Sequence, residues 1–243
     1  MSAKPHTQKA ASAKLGIDRP VTQVIKDALW ISPLIAAAAL ALAIPLGITL
    51  GIVAALRRNT LADTGIILVL VAGLSIPNFA LAAFCVWGFA LKLGWVPVAG
   101  WTSWRHAILP VALLAIPAAA YLARLARTFM LEVLQQDYLR TARAKGLPER
   151  LVVWRHGLRN VLVPILTVCG VIFGGLITGT IVIETIFNIP GLGRIAIESI
   201  FARDYPVTMA IVMLFTLFYA VINFAVDVLY GLVDPRIRVE AGR

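Results

Sequence analysis

Five long runs of apolar residues occupy most of the chain, and each is long enough to cross a lipid bilayer as a helix. The hydrocarbon core of a bilayer needs about 20 helical residues. Helices are required because lipid cannot satisfy exposed backbone groups, and the alternation typical of a membrane β-barrel is absent. The runs are Trp30–Leu56, Leu61–Leu91, Ala107–Leu131, Val161–Phe187 and Val207–Val233. The sequence therefore predicts an all-α, polytopic membrane protein with about five transmembrane helices.

The composition excludes a soluble single domain. Of the 243 residues, 60% are hydrophobic and 14% are charged, and the mean hydropathy is +0.88. A soluble core of this size could not bury so much apolar surface. The formal net charge of +10 does not indicate nucleic-acid binding, because the basic residues lie between apolar runs and not along one face. Cys85 and Cys169 each lie inside an apolar run, and we interpret both as small buried residues.

The placement of lysine and arginine predicts the orientation. Thirteen of these residues lie in the loops after the first and third runs and in the C-terminal tail, whereas four lie in the other two loops. The positive-inside rule makes the first set cytoplasmic, and the C-terminus with it. We divide the chain into a polar tail (1–29), a transmembrane domain (30–233) and a cytoplasmic tail (234–243). The first tail would then lie outside, although it carries five lysine and arginine residues.

The loop 132–160 predicts a helix, a sharp turn and a second helix. Good helix formers run from Tyr138 to Lys145. Gly146 stands where a left-handed cap would end that helix, and Pro148 suits the first turn of the next one. A short rigid element of this kind can fit a groove on a partner protein. The alternative is a solvated, positively charged loop.

Residues in this loop resemble the cytoplasmic signature of ABC-importer permeases. That signature reads Glu-Ala-Ala, three residues, Gly, and after about nine more residues Ile-x-Leu-Pro. Residues 140–142 here read Arg-Thr-Ala, Gly146 is the glycine, and His156, Leu158 and Arg159 replace the last three. These departures resemble one subfamily, the first (B-type) permease of dipeptide, oligopeptide and nickel importers. The positions that carry this second resemblance are 136–146, Arg155, His156, Arg159, Asn160 and Pro164.

The resemblance extends over residues 17–238. Its other matches are Leu74–Pro77, Gly94–Pro97, Glu184–Gly193, Arg203–Pro206, Asn223, Asp227 and Asp234–Arg238. Longer members of the subfamily have one more helix ahead of the stretch that residues 17–25 resemble. We therefore expect this chain to lack that first helix, which would explain the positive charge of its N-terminal tail.

The resemblance implies the fold of a type I ABC importer transmembrane domain and a mechanism for the loop. The helix around 140–147 would be a coupling helix that sits in a cleft of a cytoplasmic ATPase. Closure of two ATPases on ATP would switch the permease between inward-open and outward-open states. The implied coupling residues are Arg140, Thr141, Ala142, Arg143, Lys145, Gly146 and Leu147. We expect Ala142 and Gly146 to tolerate bulk least, Gly146 because of a close approach or of the turn.

The same resemblance implies partners and a location. They are a second permease subunit in a heterodimer, two ATPase subunits that bind ATP and Mg²⁺, and an external solute-binding protein, all at the inner membrane of a bacterium or archaeon. The binding protein would dock on the external loop 184–205, whose candidate contacts are Arg194, Glu198, Arg203 and Asp204. A solvated turn is the alternative. The cargo is left open among dipeptides, longer peptides, glutathione and nickel complexes.

No catalytic chemistry is expected of this chain itself. The sequence holds no phosphate-binding loop, no Ser/His/Asp set and no metal-ligand spacing. We therefore expect a transport subunit without a cofactor, a metal or a nucleic-acid partner of its own.

Ionisable residues inside the apolar runs leave two rival functions open. Asn223 and Asp227 share one face of the last run, where they could form a structural hydrogen bond, act in gating or carry protons. A secondary carrier or channel would need paired ionisable residues facing a lumen, for which Asp227, Asp63 and Glu184 are the candidates. A truncated, non-transporting interaction subunit is the third possibility.

Glycine and proline residues in the apolar runs predict where helices approach or bend. The pairs Gly47/Gly51, Gly170/Gly174 and Gly175/Gly179 have the spacing that permits close helix contact, either within the subunit or with a second permease. Prolines at 33, 45, 77, 110, 117 and 164 either mark kinks needed for alternating access or are tolerated as membrane helices tolerate them.

Overall fold

The computed structural model describes residues 21–233, within which every regular element is a helix. Residues 1–20 and 234–243, and the side chains of residues 21, 227 and 229–233, lie outside this description. In chain order the helices are α1 (Val21–Ala28), α2 (Ile31–Leu56), α3 (Leu61–Ser75), α4 (Asn78–Cys85, continued by a π-helical segment, Val86–Lys92), α5 (Arg105–Leu134), α6 (Asp137–Ala144), α7 (Glu149–Leu151, continued by a π-helical segment, Val152–Gly157), α8 (Leu158–Ile186), α9 (Leu192–Phe201) and α10 (Tyr205–Val233).

The helices confirm the predicted class of polytopic, all-helical membrane protein. Four helical stretches within residues 21–233 are long and apolar enough to cross a membrane. They are Thr22–Leu56, Arg105–Leu134, Glu149–Ile186 and Tyr205–Val226. A fifth span is present if α3 and the helix from Asn78 to Lys92 are counted together, although they meet at an angle of 100°.

The second apolar run is not one straight helix, because it breaks at Ile76 and Pro77. Proline has no N–H to donate and forces the preceding residue out of the helical region. Ile76 is accordingly extended, with φ −85° and ψ 121°. α4 then starts with the amide of Ala80 bonded to the Pro77 carbonyl at 3.0 Å. Of the prolines for which a kink was left open, Pro77 marks a break, whereas prolines 45, 110, 117 and 164 all lie inside continuous helices.

The centre of the bundle is the close contact between α2 and α5. A Cβ atom added to Gly47 would stand 2.7 Å from both the Ala119 carbonyl oxygen and Leu122 Cβ. One added to Gly51 would stand 2.7 Å from Ala126 Cβ. Both distances are too short for carbon, so the two helices can approach this closely only with glycine at these positions. The predicted packing role of this pair is confirmed.

The two glycine pairs on α8 behave differently from each other. A Cβ on Gly170 would lie 3.1 Å from Val226 Cβ, and one on Gly174 would lie 2.6 Å from Tyr219 Cδ2, so this pair brings α10 onto α8. A Cβ on Gly175 would meet nothing within 4 Å in the described chain. Gly175 therefore makes no close helix contact within the described part of this subunit, and its contact with a second permease stays a prediction.

The bundle has two ends with different attachments. At the elbow end, α5 leads into the elbow, defined as residues 137–157, and the elbow leads into α8. At the other end, the α9 end, the chain enters through α1 and crosses between α8 and α10 through α9. An apolar cluster of α1, α9 and α10 closes the α9 end, with Ala28, Leu192, Ala196, Val207 and Ile211 buried in it.

Candidate functional site

The elbow contains the sharp turn that the sequence predicts. Gly146 has φ +78°, in the left-handed region where side chains are rarely accommodated. The Gly146 amide donates to the Arg143 carbonyl at 2.9 Å, and the Leu147 amide donates to the Ala142 carbonyl at 3.3 Å. These two bonds form a Schellman motif, which satisfies carbonyls at the end of α6. A Cβ on Gly146 would meet nothing within 4 Å, so the turn, and not crowding within this chain, is what requires glycine here.

The inner face of α6 is held against the rest of the protein. Leu139 and Ala142 are buried, and they form an apolar cluster with Val152 of the following π-helical segment. Val133 and Leu134, at the end of α5, pack against the same cluster. Because apolar packing fixes α6 to α5 and to the segment Val152–Gly157, which leads directly into α8, a displacement of α6 is passed to both sides of the elbow.

The outer face of α6 and the turn that follows it are polar and open. The exposed residues of the predicted coupling set are Arg140, Thr141 and Arg143 on α6 and Lys145, Gly146 and Leu147 in the turn. Ala142 is the exception, because it lies on the buried inner face. The structure therefore assigns the predicted intolerance of bulk at Ala142 to packing inside the subunit, while the other six residues remain accessible to a second protein.

Hydrogen bonds between side chains hold the elbow in shape. Arg143 donates from Nε and Nη2 to the two carboxylate oxygens of Glu149 at 3.0 and 2.8 Å, across the glycine turn. This bond holds the pKa of Arg143 above its ordinary value. Asn160 donates from Nδ2 to the Tyr138 hydroxyl at 2.6 Å, which ties α6 to the start of α8. Arg140 makes only a loose contact with Asp137, at 3.5 Å, and its side chain is mostly exposed.

The four residues predicted to dock a binding protein lie at the α9 end. Arg194 donates from Nε to Glu198 Oε1 at 2.6 Å, so these two side chains pair on α9. Asp204 caps α10 by accepting from the Val207 amide at 3.3 Å. Arg203 is exposed and has φ +57°, a conformation that reverses the chain between α9 and α10. Three of the four side chains therefore make local bonds, and Arg203 projects into open space.

The polar residues predicted within the last run are described only in part. The Asn223 side chain donates from Nδ2 to the Tyr219 carbonyl at 3.0 Å, which is a bond within its own helix. The side chain of Asp227 lies outside the described residues. A role of this pair in gating or in proton transfer stays a prediction.

Two ionic features were not identified as structural elements from the sequence, where they were considered only for a carrier. Asp63 is buried and bonded to Arg127, at the elbow end. Glu184 is buried at the α9 end, where it accepts from the amide of Arg194 at 3.1 Å. These acids lie on different helices, at opposite ends of the bundle, so they do not form the paired, lumen-facing set that a carrier needs.

Known proteins are similar to this chain in sequence and in fold. Residues 47–239 match the family described as the inner membrane component of binding-protein-dependent transport systems. The glutathione transport system permease protein GsiC of Pectobacterium atrosepticum is 46% identical over 222 residues, which cover 91% of this chain and 72% of that protein. A protein named putative peptide transport system permease in Brucella abortus is 44% identical over 232 residues, covering 92% of this chain and 74% of that protein.

Solved structures resemble the fold at much lower identity. An inward-facing structure of the MetNI methionine ABC transporter has a TM-score of 0.74 at 16% identity, covering 90% of this chain and all of the matched chain. A structure described as an amino acid ABC transporter with histidines has a TM-score of 0.69 at 13% identity and covers 95% of this chain and 99% of the matched chain. At these identities the likeness is one of fold.

Proposed function

The chain belongs to the family of inner membrane components of binding-protein-dependent transport systems, and from this membership we propose that it pairs with a second permease subunit to form a path for short peptides. In this proposal, ATPase subunits bind its elbow and drive the transport. The chain itself is a permease subunit of an importer of this class. The proposal adds the cargo, the partners and the residues that connect them.

The observation that carries the proposal is that α6 has one buried face and one exposed face. Leu139 and Ala142 are buried against the end of α5 and Val152, while Arg140, Thr141 and Lys145 are exposed. A helix that is fixed on one side and open on the other can accept a partner and transmit its movement. Because Arg143 is already bonded to Glu149, we assign the polar contacts with an ATPase chiefly to Arg140 and Lys145.

The proposed orientation rests on charge. Lysine and arginine are concentrated in the segments that lie at the elbow end, which supports a cytoplasmic elbow and a cytoplasmic C-terminus. The α9 end would then face outside. There we propose that α9 and the turn at Arg203 meet a solute-binding protein.

The proposed cargo is a short peptide. Two relatives described above are named for the transport of glutathione and of peptides. Glutathione is itself a tripeptide, so one chemical class covers both names. We propose this class for the present chain and leave nickel complexes as the alternative cargo.

Reconstitution tests this function against the rival carrier. The chain would be placed in proteoliposomes with its second permease, its ATPase subunits and a solute-binding protein, and uptake of radiolabelled glutathione and of di- and tripeptides would be measured. We expect uptake that requires both ATP and the loaded binding protein. Uptake by this chain alone under a proton gradient, without ATP, would instead support a secondary carrier.

A capture experiment tests the elbow separately from the cargo. ATPase subunits should be retained by the solubilised permease complex and lost when Arg140 and Lys145 are both replaced by glutamate. Arg105→Glu provides a matched control, because Arg105 is an exposed arginine at the start of α5, remote from the elbow. Equal retention by the double variant and the control would contradict the proposed docking surface.

A further inference from the structure

Helix α9 begins without a capping side chain of its own. Its first residue is Leu192, and Gly191 precedes it in an extended conformation with no side chain to accept a hydrogen bond. The first amides of a helix have no partner within the helix, so they must be satisfied from elsewhere. At the start of α9 the acceptors come from two different spanning helices.

Ser32 and Glu184 supply those acceptors. The Leu192 amide donates to Ser32 Oγ at 2.9 Å, and Ser32 is in the first turn of α2. The Arg194 amide donates to Glu184 Oε2 at 3.1 Å, and Glu184 is in the last turn of α8. Both side chains are fully buried. The start of α9 is therefore bonded directly to α2 and to α8.

Two glycines allow the start of α9 to lie on the carboxylate of Glu184. A Cβ on Gly191 would come within 2.8 Å of Glu184 Oε1. One on Gly193 would come within 2.9 Å of Glu184 Oε2 and 2.6 Å of Ile181 Cα. A negative group placed here also meets the positive end of the helix dipole. Glycine at both positions thus permits a contact that a side chain would block.

Glu184 lies where α2, α8 and α9 meet. Its Oε2 atom accepts from the Arg194 amide of α9, and the side chain of Ser32 on α2 bonds to the same carboxyl group. This one carboxyl group therefore contacts two helices besides its own.

We infer that Glu184 and Ser32 are positioning residues that latch α9 to the outer ends of α8 and α2, so that a solute-binding protein bound to α9 moves both spanning helices as one unit. This inference rests on the proposed docking at the α9 end. It adds the residues through which docking reaches the membrane. The apolar side chains of Ile200 and Phe201, exposed at the far end of α9, leave that end open to a partner.

The first test measures the distance between α8 and α9 in the absence of a binding protein. Spin labels are placed at Val182 on α8 and Ile200 on α9, two exposed positions, with Cys85 and Cys169 replaced by alanine. Double electron–electron resonance on the reconstituted complex should give a narrow distribution of the distance between the two labels for the wild type. Glu184→Ala and Ser32→Ala should broaden it. Thr185→Ala is the control, because Thr185 is exposed and its hydroxyl donates to the Ile181 carbonyl of its own helix.

The second test measures function in unlabelled complexes that carry the same substitutions of Glu184 and Ser32. We expect Glu184→Ala to raise the apparent KM for the loaded binding protein in ATPase stimulation by about tenfold, the loss expected for a hydrogen bond to a charged group. Basal ATPase activity should be unchanged. Glu184→Gln should recover part of the loss, because its amide oxygen can still accept from the Arg194 amide.

The outcomes separate this inference from the proposed function. If the binding protein does not stimulate the wild type, the proposed function fails. The distance measurement still shows whether Glu184 and Ser32 hold α9 against α8 and α2. If stimulation is normal and both distances and KM are unchanged in Glu184→Ala and Ser32→Ala, the latch is wrong. A fall in basal activity with an unchanged KM would also overturn it, as a general structural defect. Should Glu184→Ala not assemble, Ser32→Ala and Glu184→Gln provide the same decision.

Discussion

Arg127 on α5 donates two parallel hydrogen bonds to Asp63 at the start of α3, from Nε to Oδ1 at 2.9 Å and from Nη2 to Oδ2 at 2.8 Å. Asp63 Oδ2 also accepts from the Asn59 amide at 3.1 Å, so the carboxylate orders the connection between α2 and α3. Arg127 lies two turns before the end of α5, which leads into the elbow. The pair therefore links the base of the elbow to the broken helix formed by α3 and α4.

The first prediction is that this ion pair is needed for coupling. Arg127→Lys should lower peptide uptake and Arg127→Ala should lower it further, because lysine keeps the charge but cannot form the two-bond geometry. Removing arginine entirely leaves a buried carboxylate without its partner. Uptake and ATPase activity measured in the same proteoliposomes should show that transport falls more than hydrolysis does.

The control for this prediction is on the same helix. Arg124→Ala removes an arginine whose guanidinium lies 5.3 Å from the centre of the Tyr121 ring and whose side chain is exposed. It should leave uptake near the wild-type level. Equal losses in Arg124→Ala and Arg127→Ala would mean that general positive charge, and not the pair with Asp63, is what matters.

The second prediction concerns the two alanines of α6. Ala142→Leu should destabilise the solubilised protein by about 1–3 kcal/mol, because added methylenes must enter the cluster of Leu139 and Val152. Ala144→Leu should leave stability unchanged, since Ala144 is exposed on the same helix. Thermal unfolding followed by tryptophan fluorescence measures both. Equal stability of the two variants would contradict the buried position of Ala142.

How much of this site can be read from one sequence depends on how far apart its parts lie in the chain. The turn at Gly146 and the break before Pro77 follow from the local conformational limits of glycine and proline. The turn was predicted, and a kink was one of the two readings left open for Pro77. A close helix contact at Gly47 and Gly51 was also predicted, because glycines at this spacing permit it, although the sequence did not indicate that the partner helix is α5.

The partners of the buried acids could not be predicted in the same way. Asp63 and Arg127 are 64 residues apart, and Ser32 and Leu192 are 160 residues apart. Several arginines and serines were equally available to the sequence argument, and only the packing of the helices selects among them. A local signal did exist for Asp63, because Thr60 precedes it by three residues as in a capping box, and the Asp63 amide donates to Thr60 Oγ1 at 3.4 Å.

The third prediction tests whether glycine is needed at position 146 for its backbone conformation or because a side chain would not fit. Gly146→Ala should cost about 1–2 kcal/mol of stability, because a Cβ is unfavourable in the left-handed region even where nothing touches it. Gly146→Asn should cost less, since asparagine enters that region more readily. Gly65→Ala, in the open interior of α3, should be neutral or slightly stabilising. Chemical unfolding of the three variants in detergent gives the order.

The same variants test the elbow as a docking element. If an ATPase subunit also approaches Gly146 closely, Gly146→Asn should reduce capture of the ATPase by more than its small effect on stability explains. If capture follows stability across alanine and asparagine alike, the turn alone accounts for the glycine. Either result assigns one of the two roles that the sequence allows for this residue.

The fourth prediction concerns how closely α2 and α5 must approach. Gly51→Ala places a methyl group 2.7 Å from Ala126 Cβ and 3.0 Å from the amide nitrogen of Arg127, so it should push α2 away from α5 and cost about 1–3 kcal/mol. Gly175→Ala, on the open side of α8, should cost nothing and serves as the matched glycine control. Because the displaced segment of α5 carries Arg127, Gly51→Ala should also weaken the bond to Asp63 and reduce uptake. A Gly51→Ala variant as stable and active as Gly175→Ala would contradict the close contact of the two helices.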